Sequence, residues 1–565
     1  VTGKWIHHPW VSRIRSGLFL LLNIPFIAAN CVDLGLFQFS SRRLTSDIFS
    51  IMGFGQDFKN TVPKMLSDFW IEVLILALII LLLVIADRRF LKVDETKQAS
   101  PTRSVRPITG VLVIGMLFIA FRGGFQLKPI TILSASGHGM QRETALVLNS
   151  GFTILKTYGK SELHQVDFMP DETADALMPL IHDYSKGREF DKNNIVIIIL
   201  EGVGKEYIGF LNKNTGYTPF LDSLLARSLV YNEAFANGKR SIEGIPAVVA
   251  GIPSLSDQPF ISSPYSGNSI NSFASLLKPY GYSSIFFHGG TNGTMNFDGF
   301  STVAGFDRYF GRSEYGDDTD FDGNWGIYDM PFLQRMSAEL DKTPQPFVAA
   351  VFTLSSHHPY KVPAPFDRSL PTGSLPIHQS VRYADESLRR FFATAARTEW
   401  FKNTLFVITS DHTSLSEQAR YQTQVGIYSI PIAYYSPGKI SPGISARTTQ
   451  QIDILPSLLD RIGYPQPFYS LGNSVFDSTA FPFAISQLHG DFQIISNGFA
   501  FTLDTLNGNS LFHYTNDSLM NLNLVQFKPN TTRLLESRIK AVVQQYTNSM
   551  LKNNMTVPTP QHALK

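Results

Sequence analysis

Between residues 193 and 438 the sequence returns five times to one pattern, in which a short run of β-branched and apolar residues ends in a small or charged cluster. The runs are NIVIIILE, SSIFFHGG, FVAAVFTLSSHH, NTLFVITSDH and IPIAYYSPG. Uninterrupted apolar runs of this length suit strands buried on both faces, and the helix-like stretches between them predict an α/β domain around a mostly parallel sheet. TPFLDSLLARS fits that scheme, with Thr218 as N-cap, Pro219 at the first helical position and Asp222 near the positive helix end.

The flanking regions differ. Residues 1 to 125 hold long apolar runs, whereas residues 126 to 565 have mixed charge and many Gly, Pro and Asn turns. Segments at about 17–39, 68–87 and 107–122 have the length and apolarity to cross a bilayer, WIEVLILALIILLLVIA being the clearest. Asn23, Pro25, Asn30 and Asp33 in the first segment cost free energy in lipid unless they face other helices. Arg88, Arg89, Lys92, Lys97, Arg103 and Arg106 follow the second segment; the positive-inside rule puts their loop in the cytoplasm and everything beyond the third segment outside. The first segment is preceded by Arg13 and Arg15 and is too long for a signal-peptide core, and further membrane helices are expected ahead of Val1.

The expected organisation is therefore a transmembrane domain at 1–125, a juxtamembrane connector at 126–190, a catalytic domain at 191–480 and a C-terminal extension at 481–565. In the connector, ETALVLNSGFTILKTYG reads as a helix lying on the membrane surface or as a plain linker helix. The extension, with GDFQIISNGFAFTLDTLNGNSLFHY, reads as a small antiparallel unit. A formal net charge of +2 gives no reason to expect a nucleic acid partner. The single cysteine, Cys31, lies in an apolar run, which excludes a disulfide framework within the chain, a Cys-rich zinc cluster and a catalytic cysteine in the soluble part.

In an open parallel sheet, ligands bind beyond the carboxyl ends of the strands, so the residues ending the five runs carry information. They are Glu201, His288, His357 with His358, Asp411 with His412, and Ser436-Pro437-Gly438. An acid after a strand is often a helix cap and a lone His is more often a hydrogen-bonded core residue; clustering at equivalent ends favours a metal site. The Asp411-His412 pair offers one oxygen and one nitrogen ligand, suited to Zn²⁺ or Mn²⁺, and Glu201 could supply a third. Ser241 in ANGKRSIEGIPAVVAG is the candidate nucleophile, placed where Gly238 permits a tight turn and a helix begins; an ordinary helix N-cap is the alternative. Lys239 and Arg240 add positive charge beside it.

Taken together, VIIILEGVG, TPFLDSLL, NGKRSIEGIP, FDGNWGIYD, TLSSHHPY, TSDHTS, IPIAYYSPG and QIDILPSLLD occur in an order that resembles the alkaline phosphatase and sulfatase superfamily. Within it, the chain resembles the lipoteichoic acid synthase-like phosphoglycerol transferases, and the likeness covers most of residues 190 to 470. That resemblance implies a multi-helix membrane anchor, five helices in such enzymes, followed by an extracytoplasmic catalytic domain; three helices here would fit a chain lacking the first two. It places Glu201, Ser241, Asp411 and His412 on the metal-site positions, with Ser241 where these transferases usually carry Thr, and implies one divalent metal, Mn²⁺ ahead of Zn²⁺ or Mg²⁺. His357 falls on the histidine that contacts substrate phosphate and could protonate the leaving oxygen. His358 is expected to pack beside it, and Asp453 and Trp325 to be structural.

Two departures concern the substrate. Where the lipoteichoic acid enzymes grip glycerol phosphate with a Trp and an Arg, HGGTNGTMNFDGF offers Met295 and Phe297. A bidentate phosphate clamp is thus missing, and His288 and Asn292 could replace part of it, a buried His in a glycine-rich loop being the alternative. Sulfatases proper need a Cys/Ser-x-Pro-x-Arg motif, absent from Ser241-Ile242-Glu243-Gly244-Ile245. Lipid A phosphoethanolamine transferases usually carry a further His after the Asp-His pair and several disulfides, and TSLSEQARYQTQ has no His. The expected function is transfer of a phosphoglycerol-type head group from a membrane phospholipid to a glycan or lipid acceptor outside the cytoplasm through a Ser241 phospho-ester. A phosphoethanolamine transferase, a phosphodiesterase or phosphatase, and an inactive membrane sensor or scaffold are the alternatives.

Overall fold

The structure, a computed structural model, describes residues 9–40, 43–44, 46, 69–90, 105–125, 130, 147–159, 163–185, 189–213, 215–256, 258–364, 366–488, 491–504 and 508–557. The chain divides into two compact units, Val1–Glu162 and Leu163–Lys565.

In the first unit, the helices Pro9–Ser40, Trp70–Phe90 and Val105–Arg122 cover the three apolar segments. Arg13–Leu34 and Trp70–Arg89 are long and apolar enough to cross a membrane, with mean hydropathies of 1.7 and 2.7. The third helix has a shorter apolar stretch, Ile108–Ala120, below the roughly 20 residues a span needs. The polar residues of the first helix find partners mostly close in sequence. Asn23 and Asn30 donate to the carbonyls of Phe19 and Phe26, both at 2.7 Å. Asp33 accepts from Arg43 at 2.5 Å and from the Leu44 N–H at 2.6 Å. A short helix, Ser150–Thr157, capped by the Asn149 side chain on the Phe152 N–H, packs close to the Phe26 ring at Gly151. The expected connector helix therefore exists in part; its residues 143–146 lie outside the described residues.

In the second unit, eight strands form the central sheet: β1 Asn194–Leu200, β2 Leu229–Tyr231, β3 Ser283–His288, β4 Arg308–Phe310, β5 Phe347–Phe352, β6 Thr404–Ser410, β7 Ile432–Tyr435 and β8 Gly443–Ser445. Their order is β8-β2-β7-β6-β1-β5-β3-β4. Every residue of β1, β5 and β6 is buried, as apolar runs covered on both faces require. These three strands and β3 run parallel.

One expected strand differs. β7 is antiparallel to both β6 and β2, so the sheet is mixed. Its following residue, Ser436, donates to the carbonyl of Thr404, the first residue of β6, at 2.9 Å. Ser436-Pro437-Gly438 therefore lies at the edge opposite the other strand ends. The helix Pro219–Leu225 starts after Thr218 as expected, but the Thr218 hydroxyl donates to Asp222. Its free N–H groups at Phe220 and Leu221 are taken by the carboxylate of Asp385, at 2.9 and 2.8 Å.

The C-terminal extension is a four-stranded antiparallel sheet, Ala484–Leu488, Asp491–Ser496, Phe499–Leu503 and Ser510–Phe512, followed by the helix Pro529–Lys552. Residues from 163 onward, within the expected connector, belong to this second unit. There the strand Ile181–His182 pairs with Phe468–Tyr469, and Gln544 of the last helix accepts the N–H groups of Phe168 and Met169.

Candidate active site

Register fixes the site. Leu200 stands opposite Ser410, Ile199 opposite Phe352, and Phe352 opposite His288, so the residues after β1, β5 and β6 emerge at one edge. Glu201 follows β1, and its N–H donates to Thr353 Oγ1 at 2.9 Å. The next residue, Gly202, takes a positive φ of 64°, and its N–H donates to Asp411 Oδ1 at 2.8 Å. The His412 N–H donates to the same oxygen, also at 2.8 Å. Asp411 Oδ2 is left buried with no hydrogen-bond partner, 3.1 Å from His412 Nε2 without hydrogen-bond alignment. His412 Nδ1 donates to the Thr413 carbonyl at 2.8 Å, the tautomer that leaves an Nε2 lone pair for the site.

Ser241 is the first residue of the helix Ser241–Ala250, one position inside the N-cap, Arg240. Its hydroxyl does not cap. It donates to Glu201 Oε2 at 3.2 Å and lies 3.3 Å from His412 Nε2. The capping is done by Glu243, whose carboxylate accepts the N–H groups of Lys239 and Arg240 at 2.7 and 3.1 Å. That carboxylate also holds the Arg240 guanidinium, at 2.8 Å from Nε, and the Arg240 side chain is 57% exposed. Gly238 serves close approach: a Cβ there would meet the Glu243 side chain at 2.4 Å.

Among the described residues, Glu201, Asp411 and His412 form a group able to hold a metal ion, with ligand atoms within 4.8 Å of one another. The donor set fits. Burial and then the neighbouring Asp411 carboxylate push the Glu201 carboxyl well above the usual range, a configuration that a divalent cation would reverse. A cation would also give Asp411 Oδ2 its missing partner. Two carboxylates, an imidazole and a hydroxyl suit Mn²⁺, Zn²⁺ or Mg²⁺.

His357 is half-buried, its Nδ1 donating to the His358 carbonyl at 2.9 Å. The Trp325 ring packs against it at 4.2 Å, and the indole N–H donates to the same carbonyl at 2.7 Å. Trp325 therefore walls the histidine as well as serving structure. His358 is exposed, its ring against Tyr360 while its carbonyl holds His357 Nδ1. Asp453 is buried and accepts from Asn473, Gln450 and Thr449, in keeping with a structural part.

The expected replacements for the phosphate clamp fare differently. His288 is 1% exposed, walled by Phe352 and Phe297 at 4.8 and 5.4 Å, and burial lowers its pKa to about 4, so it is neutral. Its Nδ1 donates to the Phe352 carbonyl at 3.2 Å while Nε2 is buried without a partner. Both ends of the Asn292 amide are engaged, Nδ2 with Glu314 at 3.0 Å and Oδ1 with the Ser313 N–H at 3.1 Å, which ties it to structure and not to an open subsite. Phe297 is itself 1% exposed, turned into the core against His288. Met295 stays half-buried on a left-handed backbone, φ 46°.

Several residues outside the expected set hold the site. Gln451, in the QIDILPSLLD segment, donates to the carbonyls of Ser410 and Asp411, both at 2.7 Å. Lys239 Nζ donates to Thr413 Oγ1 and the Ile427 carbonyl, both at 2.7 Å, and burial lowers its pKa to about 8. Only its position two residues before Ser241 hinted at this.

Residues 193–464 match the family model described as Sulfatase. The chain is 24% identical to the lipoteichoic acid synthase-like YvgJ of Bacillus subtilis (strain 168), over 62% of this chain and 58% of that protein. It is 27% identical to lipoteichoic acid synthase 1 of the same organism, over 50% and 48%. It is also 27% identical to phosphoglycerol transferase I of Escherichia coli (strain SMS-3-5 / SECEC), over 40% and 32%. The chain thus spans about half the length of the first two of these relatives, and less of the third. Two solved structures share the fold. A protein in the alkaline phosphatase superfamily from Vibrio parahaemolyticus matches with a TM-score of 0.62 at 23% identity, covering 71% of this chain and 99% of that one. The lipoteichoic acid synthase LtaP from Listeria monocytogenes matches with a TM-score of 0.57 at 19% identity, covering 68% and 99%.

Proposed function

Because residues 193–464 are a sulfatase-family domain with the alkaline phosphatase-like fold, we propose that this chain is a membrane-anchored, divalent-metal-dependent transferase. It moves a phosphoglycerol-type head group from a membrane phospholipid to a glycan or lipid acceptor outside the cytoplasm. The observation that carries this is the position of Ser241 Oγ, 3.2 Å from Glu201 Oε2 and 3.3 Å from His412 Nε2. The names of the relatives, lipoteichoic acid synthase and phosphoglycerol transferase I, support the choice of transferred group. Sulfate ester chemistry by a formylglycine is disfavoured by Glu243 and Ile245, which stand where its Pro and Arg would be.

A divalent ion held by Glu201, Asp411, His412 and Ser241, Mn²⁺ by our reading, would supply Lewis-acid stabilisation of phosphate charge and lower the pKa of the serine hydroxyl. In the first step the Ser241 hydroxyl gives its proton to solvent, Oγ attacks phosphorus, and the bond to the diacylglycerol oxygen breaks. His357 gives that oxygen a proton. The product is a phospho-ester on Ser241. In the second step an acceptor hydroxyl attacks the same phosphorus, loses its proton to His357 and frees Ser241. Arg240 is proposed to offset charge in the transition state only if it swings away from Glu243. The apolar helices of the first unit would keep the domain with its lipid donor, and, with the basic loop from Arg88 to Arg106 in the cytoplasm, the 18-residue helix Val105–Arg122 would have to cross the bilayer to put that domain outside.

The test is incubation of the purified full chain with Mn²⁺ and phospholipid vesicles, followed by mass spectrometry of the Ser241 peptide. A phosphoglycerol adduct, absent in Ser241→Ala, is expected. A phosphoethanolamine adduct would name the rival transferase, and lipid turnover into water alone a hydrolase. No adduct and no turnover with Mn²⁺, Zn²⁺ or Mg²⁺ would overturn the enzyme reading in favour of a sensor or scaffold.

A further inference from the structure

His412 begins a long irregular segment. Between the end of β6 at Ser410 and the start of β7 at Ile432, the regular structure consists of two single turns of 3-10 helix, Ala419–Tyr421 and Gly426–Tyr428. A ligand at the head of such a segment has no ladder of its own to hold its ring. What holds the ring is Thr413, whose carbonyl accepts His412 Nδ1–H at 2.8 Å. Thr413 is fixed in turn through its hydroxyl, which accepts from Lys239 Nζ at 2.7 Å and donates to the carbonyl of Ile427. Lys239 donates to that same Ile427 carbonyl at 2.7 Å. Ammonium, hydroxyl and carbonyl thus close a triangle that fastens the head of the segment to its far end.

The other end of Lys239 is equally committed. Its backbone N–H donates at 2.7 Å to Glu243, inside the helix that Ser241 opens. One residue therefore joins the element carrying the nucleophile to the element carrying a metal ligand. Lys239 has no carboxylate within ion-pair distance among the described residues; its ammonium is spent on two neutral oxygens and stands 5.7 Å from the Tyr428 ring centre. Placing a cation on neutral acceptors in a mostly buried position costs free energy, and a surface-exposed lysine at 239 would avoid it.

We propose that Lys239 is a positioning residue that locks the His412 imidazole into its metal-binding orientation, acting through Thr413. The inference rests on the metal-site reading above and goes beyond it, since the Lys239 side chain reaches Thr413, Ile427 and the Tyr428 ring and not the side chains of Glu201, Ser241, Asp411 or His412. Its loss should free the Thr413 hydroxyl to turn, release the Thr413 carbonyl from its fixed direction and let the His412 ring rotate, as removal of an outer hydrogen-bond partner does at other metal centres.

The test is Mn²⁺ titration by calorimetry of the full chain, of Lys239→Met, Thr413→Val, the double variant and Lys239→Arg. Lys239→Met and Thr413→Val should each weaken Mn²⁺ binding roughly 10- to 100-fold. The double variant should be no weaker than either single one, because both cut the same path. Lys239→Arg, which keeps a cationic donor, should recover most of the affinity. A purely structural role would instead lower thermal stability without moving the Mn²⁺ affinity of the folded fraction, and would give additive losses. Parent-like affinity in both single variants, or additive losses in the double, overturns the role of Lys239 while leaving the metal site intact. If Lys239→Met does not fold, Thr413→Val alone decides by the same measure. Failure of the parent to bind Mn²⁺, Zn²⁺ and Mg²⁺ alike overturns the metal-site reading and this inference with it; if only Zn²⁺ or Mg²⁺ binds, that ion replaces Mn²⁺ in the same titrations.

Discussion

Gly244 of the nucleophile helix passes so close to Asp411 that a Cβ at that position would lie 2.2 Å from the Asp411 carbonyl oxygen and 3.0 Å from its Cα. The obstacle is backbone on both sides, where the helix bearing Ser241 approaches the turn bearing Asp411 and His412. Neither partner is a flexible side-chain tip that could swing away.

Gly244→Ala should therefore push the helix off the Asp411 turn, destabilising the second unit by about 1–3 kcal/mol, the usual cost of overpacking. Mn²⁺ affinity should fall with it. Thermal melting and calorimetry read the two effects, and a variant with the parent's melting temperature and Mn²⁺ affinity would show that the close approach does not matter.

Glu201 and Asp411 are carboxylates buried side by side, 4% and 0% exposed. In metal-free protein, Glu201 has a folded pKa above its ordinary 4.5, so its contribution to stability is present below that value and is lost as pH rises through the raised one. Glu201→Gln should accordingly melt no lower than the parent at pH 8 in chelator. Added Mn²⁺ at 100 times its Kd should stabilise the parent by about 2.7 kcal/mol and the variant by almost nothing. An undiminished Mn²⁺ shift in the variant would remove Glu201 from the ligand set.

His288 sets a second pH dependence of opposite sign. Its pKa falls from 6.5 to about 4 on burial, so below pH 6.5 the unfolded chain takes up a proton that the folded chain refuses. Stability is kept above pH 6.5 and lost as pH falls toward 4, by up to about 3 kcal/mol for a fall from 6.5 to about 4. His288→Asn keeps a donor for the Phe352 carbonyl and does not titrate. Denaturant unfolding at pH 7 and pH 4.5 should show a smaller acid loss in the variant than in the parent; equal losses would mean that His288 gains its proton while folded.

Much of the candidate site can be read along the chain because its ligands follow apolar runs directly. Glu201 and Asp411-His412 each come straight after a run that can only be a buried strand, and parallel neighbours put such endings at one edge. The same logic misplaced Ser436, since an apolar run such as IPIAYY reads alike for a strand of either direction. The choice between them was made by pairing with β6 and β2. The third apolar segment reads as a span by composition, yet its apolar stretch is shorter than the first two.

Side-chain commitments were the least legible. Arg240 is spent on Glu243, Asn292 on Glu314 and Ser313, and Phe297 on the core around His288. Each is a competition between partners, and the sequence names the competitors without their distances.

By itself, then, the sequence determined the strands, their chemical endings and the serine that begins a helix, because hydrophobic periodicity and local start signals act over a few residues. Tertiary structure alone decided that the Ser241 hydroxyl meets Glu201 and His412, that Gly244 grants that approach and that Lys239 ties the two elements together. These contacts join residues 40, 171, 167 and 174 positions apart, and only the burial of the whole sheet, a sum over many weak apolar contacts, fixes where such distant groups come to rest.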